Sequence, residues 1–283
     1  LPSIEVSMNK VAFTVDVDRD VNLPMPGRID ASSMVAEGPA QPRFHSSARG
    51  LNLLVELLDD LGIRGTFFLE ARTAIEISKE IDLGELLEDH EIGSHGFDHE
   101  DLTGEKTGLP VSRDDVYFIL ERSMETLTEL TGRKPSGFRA PYLNVSDDIL
   151  GSISDAGFEY DSSLTKDDAD LAPAPWRLPN GLLEVPLTRS HDDRGKRIYS
   201  YLWAMHEGKR DPEDYLKLMR RSESGLLVMG THSWHLVETF SGGRMDEAGI
   251  GRGLERLRTV LEGGMDSGVE FIAIDEFIEK YLG

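Results

Sequence analysis

Lys10-Val-Ala-Phe-Thr-Val-Asp-Val-Asp18 alternates apolar with smaller or polar side chains, the two-residue period of a β-strand. Val11, Phe13, Val15 and Val17 share one face, and Ala12, Thr14, Asp16 and Asp18 share the other. An apolar face turned out under helices, with small and chemically active residues turned in, is what the first strand of a barrel requires.

Working outward, strands and helices alternate. Helix 47–61 precedes strand 64–69, and short helical segments cover 71–89. Strand 91–94 leads to helix 112–131, strand 137–140 to helix 146–156, and strand 158–161 follows. A strand at 182–187 comes after the proline-rich stretch Ala172–Pro179. Helix 212–221, strand 226–231, helix 246–262, strand 269–274 and a closing helix complete the chain. Such alternation predicts an α/β fold with a mostly parallel sheet. Seven or eight units favour a (β/α) barrel, closed or incomplete, over an open nucleotide-binding sheet, and no glycine-rich phosphate loop opens any of the helices. No repeat, low-complexity segment or linker divides the 283 residues, so residues 1–283 are expected to form a single catalytic domain. The stretches 21–47, with four prolines, and 188–210 read as long loops, which in compact domains usually carry function.

The net charge of −22 repels nucleic acid phosphates and anionic lipid heads, so neither is an expected partner. With no cysteine, any metal must be held by histidine and carboxylate. No apolar run approaches the roughly 20 residues that span a bilayer, and Leu-Pro-Ser-Ile-Glu-Val-Ser is not a signal peptide. A cytoplasmic location is therefore expected, although the sequence starts without Met.

Chemically suggestive residues fall at strand ends: Asp16 and Asp18 end the first strand, His95 follows the third, Arg139 ends the fourth and His232 ends a late one. In a parallel barrel those ends meet at one mouth. His95 and His99 are four apart, the spacing at which one helical turn brings Cβ atoms within about 6 Å, close enough for two imidazoles to share a tetrahedral ion. Asp16 and Asp18 leave one face of a strand and repel each other unless a cation separates their roles, one carboxylate binding metal and the other moving protons.

Five ordered motifs resemble the polysaccharide deacetylase family, carbohydrate esterase family 4, over roughly residues 10–280. They are Phe13-Thr-Val-Asp16-Val-Asp18, Ser94-His95-Gly-Phe-Asp-His99, Phe138-Arg139-Ala-Pro141-Tyr142, Gly157-Phe-Glu-Tyr-Asp161-Ser-Ser, and Leu226-Leu-Val-Met-Gly-Thr-His232-Ser-Trp234. The resemblance implies a deformed (β/α) barrel and metal-dependent removal of N-acetyl or O-acetyl groups from sugars. Carried over by position, Asp18, His95 and His99 hold a divalent ion, Zn²⁺ foremost, with Co²⁺, Mn²⁺, Ni²⁺ or Fe²⁺ also suited. Asp16 is the general base, oriented by Arg139; the backbone N–H of Tyr142 is an oxyanion donor. His232, with an imidazole pKa near physiological pH, is the acid that protonates the leaving amine. His235 competes for that role, and Asp161 or Asp167 is expected to tune the acid. Val17 separates the two aspartates, a form similar to the branch that acts on peptidoglycan or small cyclic amides. An acetylated sugar is thus the expected substrate; an amidase opening a cyclic amide, and a non-catalytic glycan-binding relative, are the rivals. Trp176 and Trp203 read as core or lid packing, Trp234 as able to stack on a sugar.

Overall fold

The computed structural model describes residues 9–35, 37–167, 174–221 and 225–282. Residues 1–8, and Ala172 and Pro173 of the proline-rich stretch, lie outside the described residues. Eight strands form one parallel row: β1 (Asn9–Val17), β2 (Thr66–Leu69), β3 (Glu91–Ser94), β4 (Gly137–Phe138), β5 (Tyr160–Asp161), β6 (Leu183–Glu184), β7 (Leu187–His191) and β8 (Leu226–His232). Their order is β6-β5-β4-β3-β2-β1-β8-β7. This is the cyclic order of a (β/α) barrel with its joint between β6 and β7, so the fold is a deformed barrel, as expected.

The joint has a local cause. Sequence periodicity placed one strand over 182–187, but the structure breaks it into β6 and β7 around Val185 and Pro186. Proline lacks the N–H that a ladder needs, which ends pairing there. Two short antiparallel strands flank the joint, Trp176–Arg177 on β6 and Arg197–Tyr199 on β7. The stretch 188–210 is therefore a hairpin followed by the short helix Trp203–His206, not an irregular loop. Likewise 21–47 contains a three-stranded antiparallel sheet, Asn22–Leu23, Ser32–Val35 and Gly38–Ala40, before helix His45–Leu61 begins.

The two faces of β1 divide as their alternation demands. Val11, Phe13, Val15 and Val17 pack outward against Leu51, Leu54 and Leu58 of helix His45–Leu61. Ala12 faces the interior with Phe68, Tyr160, Val185 and Val228. Full burial of such aliphatic side chains contributes roughly 1.5–3 kcal/mol each, so the outer face locks β1 in register. That register decides what stands side by side: Asp16 is opposite His232 on β8 and opposite Phe68 on β2.

Helix His45–Leu61 also fixes the segment after β8. The Asp20 carboxylate accepts from the N–H groups of Ser46 (3.0 Å) and Ser47 (2.7 Å), satisfying two free donors at the helix start. Ser47 Oγ meets Ser233 Oγ at 2.5 Å. Gly50 lies so close to this segment that a Cβ there would sit 1.8 Å from the Ser233 carbonyl oxygen. The backbone following His232 is thereby clamped against the helix. No described helix is long and apolar enough to cross a membrane.

Candidate active site

Asp18, His95 and His99 offer one ligand atom each, and these atoms all lie within 4.8 Å of one another. All three residues are buried. The histidine pair is not on a helix, as the four-residue spacing suggested. It sits in a loop after β3, where Gly96 (φ 78°) and His99 (φ 54°) turn the chain and bring the rings to 5.0 Å. His95 Nδ1 donates to the Arg139 carbonyl at 2.7 Å, which leaves Nε2 as the free ligand nitrogen. Asn22 Nδ2 donates to Asp18 Oδ2 at 2.6 Å, while Asp18 Oδ1 and His99 Nδ1 are buried without hydrogen-bond partners among the described residues.

Burial lifts the Asp18 carboxyl well above its ordinary range, with His95 acting in the opposite sense. Burial likewise lowers His95, and brings His99 down to about 4. Left to themselves these groups favour their neutral forms. A divalent cation needs neutral imidazoles and rewards an ionised carboxylate, so it would supply the charge that the pocket lacks. Orphaned donor atoms, ligand types and spacing all fit such an ion.

Asp16 stands beside this trio without belonging to it. Arg139, fully buried, donates from Nη1 to Asp16 Oδ1 at 2.8 Å and to Thr14 Oγ1 at 2.9 Å. The other oxygen, Oδ2, accepts from the Tyr201 hydroxyl at 2.8 Å. His232 Nε2 lies 3.8 Å from Asp18 Oδ2. Tyr142, in a turn after β4, has a φ of 61°, rare for L side chains, and sets its ring edge-on to His99 at 4.6 Å. All seven predicted site residues thus converge at one end of the barrel.

Three expectations change. Neither candidate partner reaches His232: Asp161 binds Ser163 (Oγ at 2.8 Å, N–H at 2.9 Å), and Asp167 pairs with Arg189 at 2.5 and 2.6 Å. His232 is not poised near neutrality; burial first, then neighbouring histidines, hold it well below its ordinary value. Its Nδ1 has no hydrogen-bond partner among the described residues. Trp234 is fully buried and stacks on His232 (27°, 5.0 Å), so it has no face left for a ligand. His235 points elsewhere, with Nε2 on Glu207 Oε1 at 3.1 Å.

A cavity of about 550 Å³ opens over Asp16, His95, His99 and His232. Its walls are largely apolar and aromatic: Leu23, Pro24, Leu143, Ile198, Tyr201 and Trp203. Trp203 meets the His232 ring edge-on at 5.3 Å, a site position rather than core or lid packing alone. Trp176 lies away from this cavity, beside the joint. Sequence reading missed Tyr201, which sits in a region without regular periodicity. Its ring covers Gly230, where a Cβ would fall 2.7 Å from Tyr201 Cδ2. Arg19 and Glu70 were also missed. Burial opposes ionisation of Glu70, but Arg19 outweighs it and holds the carboxyl below its usual range, so a charged pair underlies His99.

Comparison with known proteins agrees with this arrangement. A model of the polysaccharide deacetylase family matches residues 46–160. A peptidoglycan deacetylase-like protein of Gibberella zeae is 33% identical over 128 residues, 43% of this chain and 35% of that protein. A peptidoglycan deacetylase of Helicobacter pylori is 26% identical over 163 residues, 56% of this chain and 50% of that protein. The chain spans half or less of the length of these curated relatives. Among solved structures, PuuE allantoinase superposes with a TM-score of 0.68 at 17% identity, covering 99% of this chain and 91% of that one, a likeness of fold. The motifs at the strand ends and these matches together make the chain similar to the polysaccharide deacetylase family, whose model covers residues 46–160.

Proposed function

We propose that this chain is a metal-dependent hydrolase that removes an acetyl group from the nitrogen or oxygen of a carbohydrate. The observation that carries the reading is Asp16: a carboxylate beside an Asp-His-His trio, gripped on both oxygens, and paired in register with His232. A metal site alone needs no second aspartate held in this way.

Asp18, His95 and His99 would hold the ion, with zinc the best match to two imidazoles and one carboxylate. When bound, such an ion lowers the pKa of its water and polarises the acetyl carbonyl. Asp16 takes a proton as the water oxygen bonds to the acyl carbon. The Tyr142 N–H faces the developing oxyanion, and donors of this kind contribute roughly 3 kcal/mol each. As the carbon–nitrogen bond breaks, the leaving nitrogen needs a proton. His232 enters neutral, so the proton that it delivers is the one released by the water and relayed from Asp16.

Asp16→Asn is expected to retain bound metal while losing acetate release by about 10²–10⁴-fold, the usual worth of a positioned base. Deacetylation at the parent rate in that variant would remove Asp16 from the role. Sugar binding without acetate release, with metal saturating, would identify a glycan-binding relative instead.

A second reading rests on the shape of the site. A 550 Å³ cavity with apolar walls falls within the range of small-molecule pockets and suits a compact amide as well as a sugar. Ring opening of a cyclic amide, measured beside acetate release from acetylated sugars on one preparation, separates the two.

A further inference from the structure

The helix Trp203–His206 is a partition. Trp203 and Ala204 line the main cavity, whereas Met205 and His206 line a second one of about 270 Å³. That second space is bounded also by His235, Met245, Arg252 and Arg256, and it shares no residue with the first. Arg252 and Arg256 are four apart on helix Glu247–Asp266 and so occupy one face. Arg256 donates to the Arg210 carbonyl at 2.6 Å and lies 3.8 Å from Asp211. The Arg252 side chain is exposed and forms no ion pair or hydrogen bond with the described residues. His235, fully buried, spends Nε2 on Glu207; its Nδ1 has no hydrogen-bond partner among the described residues.

We propose that this second cavity binds a short hydroxy-carboxylate, its carboxylate on Arg252 and Arg256 and its hydroxyl donating to His235 Nδ1. Arginine presents paired N–H donors that match a carboxylate, which is the chemistry left over at Arg252. Glu207 accepts the His235 Nε2 proton, so Nδ1 keeps a lone pair that calls for a donor rather than a second anion. Size excludes a sugar chain: 270 Å³ is about the volume of nine water molecules. The overall charge of −22 does not forbid the site, because at physiological salt charges beyond about 8 Å are screened and the two local cations dominate. Met205 and Met245 complete the walls with adaptable apolar surface.

Trp203 packs on His235 at 4.4 Å, so tryptophan emission reports occupancy, and calorimetry gives an independent titration. Glycolate is the probe, and acetate the analogue without the hydroxyl. Saturable glycolate binding is expected, with acetate at least about fivefold weaker and Arg252→Ala weakening glycolate by at least about tenfold. Asp18→Ala, which removes a ligand of the trio, is expected to leave glycolate binding within about twofold of the parent. Loss of the signal in Asp18→Ala would place glycolate at the Asp-His-His trio and overturn the proposal. So would equal binding of acetate, absence of saturation, or an unchanged affinity in Arg252→Ala. None of these outcomes depends on whether the main cavity hydrolyses an acetylated sugar.

Discussion

The span from β1 to β5 and the span from β6 to residue 245 build one cavity by different means. The first supplies its chemistry from regular strand ends: Asp16 lies near the end of β1, and Asp18, His95 and Arg139 each follow a parallel strand whose register is set by burial. The second supplies Ile198, Tyr201 and Trp203 from a hairpin and a four-residue helix that the barrel does not require. Reacting groups therefore sit on rigid scaffold, and the surfaces that meet a substrate sit on appended structure. His232 is the exception, a reacting group contributed by the second span through β8.

Gly50→Ala breaks this comparison most severely, because it drives the helix of the first span into Ser233 of the second. Overpacking against backbone costs typically 1–3 kcal/mol and more where neither side can yield; at 1.8 Å about 3 kcal/mol is expected. Denaturant unfolding measures the loss, and activity of the surviving folded fraction reports whether His232 has moved. Tyr201→Phe sharpens the comparison by removing one donor that the second span lends to Asp16. A hydrogen bond to a charged group is worth about 1.5–3 kcal/mol, so kcat should fall about 10–100-fold with metal content unchanged. An unaltered kcat would make the second span a wall and nothing more.

The smallest effect concerns Glu207, which holds the second span together. Burial works against its charge, but hydrogen bonds from His235, Ser241 and the Phe240 N–H outweigh it and keep its carboxyl at about 2. Because the folded value lies below the ordinary 4.5, its stabilisation is complete above pH 4.5 and drains away as pH falls toward 2. Glu207→Gln is expected to cost about 1 kcal/mol at pH 7 and to flatten that acid limb, read from thermal unfolding between pH 3 and 7.

What could be read from the sequence follows the same division. The period-two pattern of 10–18 identified β1 because one of its faces packs under a helix while the other carries function, and Asp16 and Asp18 were found by the same alternation. His95 and His99 lie together, but not on a helix: a loop with two positive-φ residues brings their rings to 5.0 Å. Spacing cannot tell the loop from the helix. The hairpin Leu187–His191 with Arg197–Tyr199 was hidden because Arg189, His191 and Arg197 face water and Pro186 interrupts the preceding run. The roles given to Asp161 and Asp167 failed because a carboxylate finds its partner in space: Asp161 is bound to Ser163, and Ser163 Oγ in turn accepts from the Ala140 N–H at 2.8 Å beneath the Tyr142 turn.

The joint at Pro186 gives this barrel an editable margin. Ile198 and Tyr199 lie on the antiparallel strand that hangs from β7, the last strand of the row, and that strand pairs with β7 and with no other described strand. Lengthening or trimming the turn at Asp192–Lys196 would reshape the mouth without shifting the ladder that aligns Asp16 with His232. Substrate preference can drift at that edge while the reacting groups stay where they are.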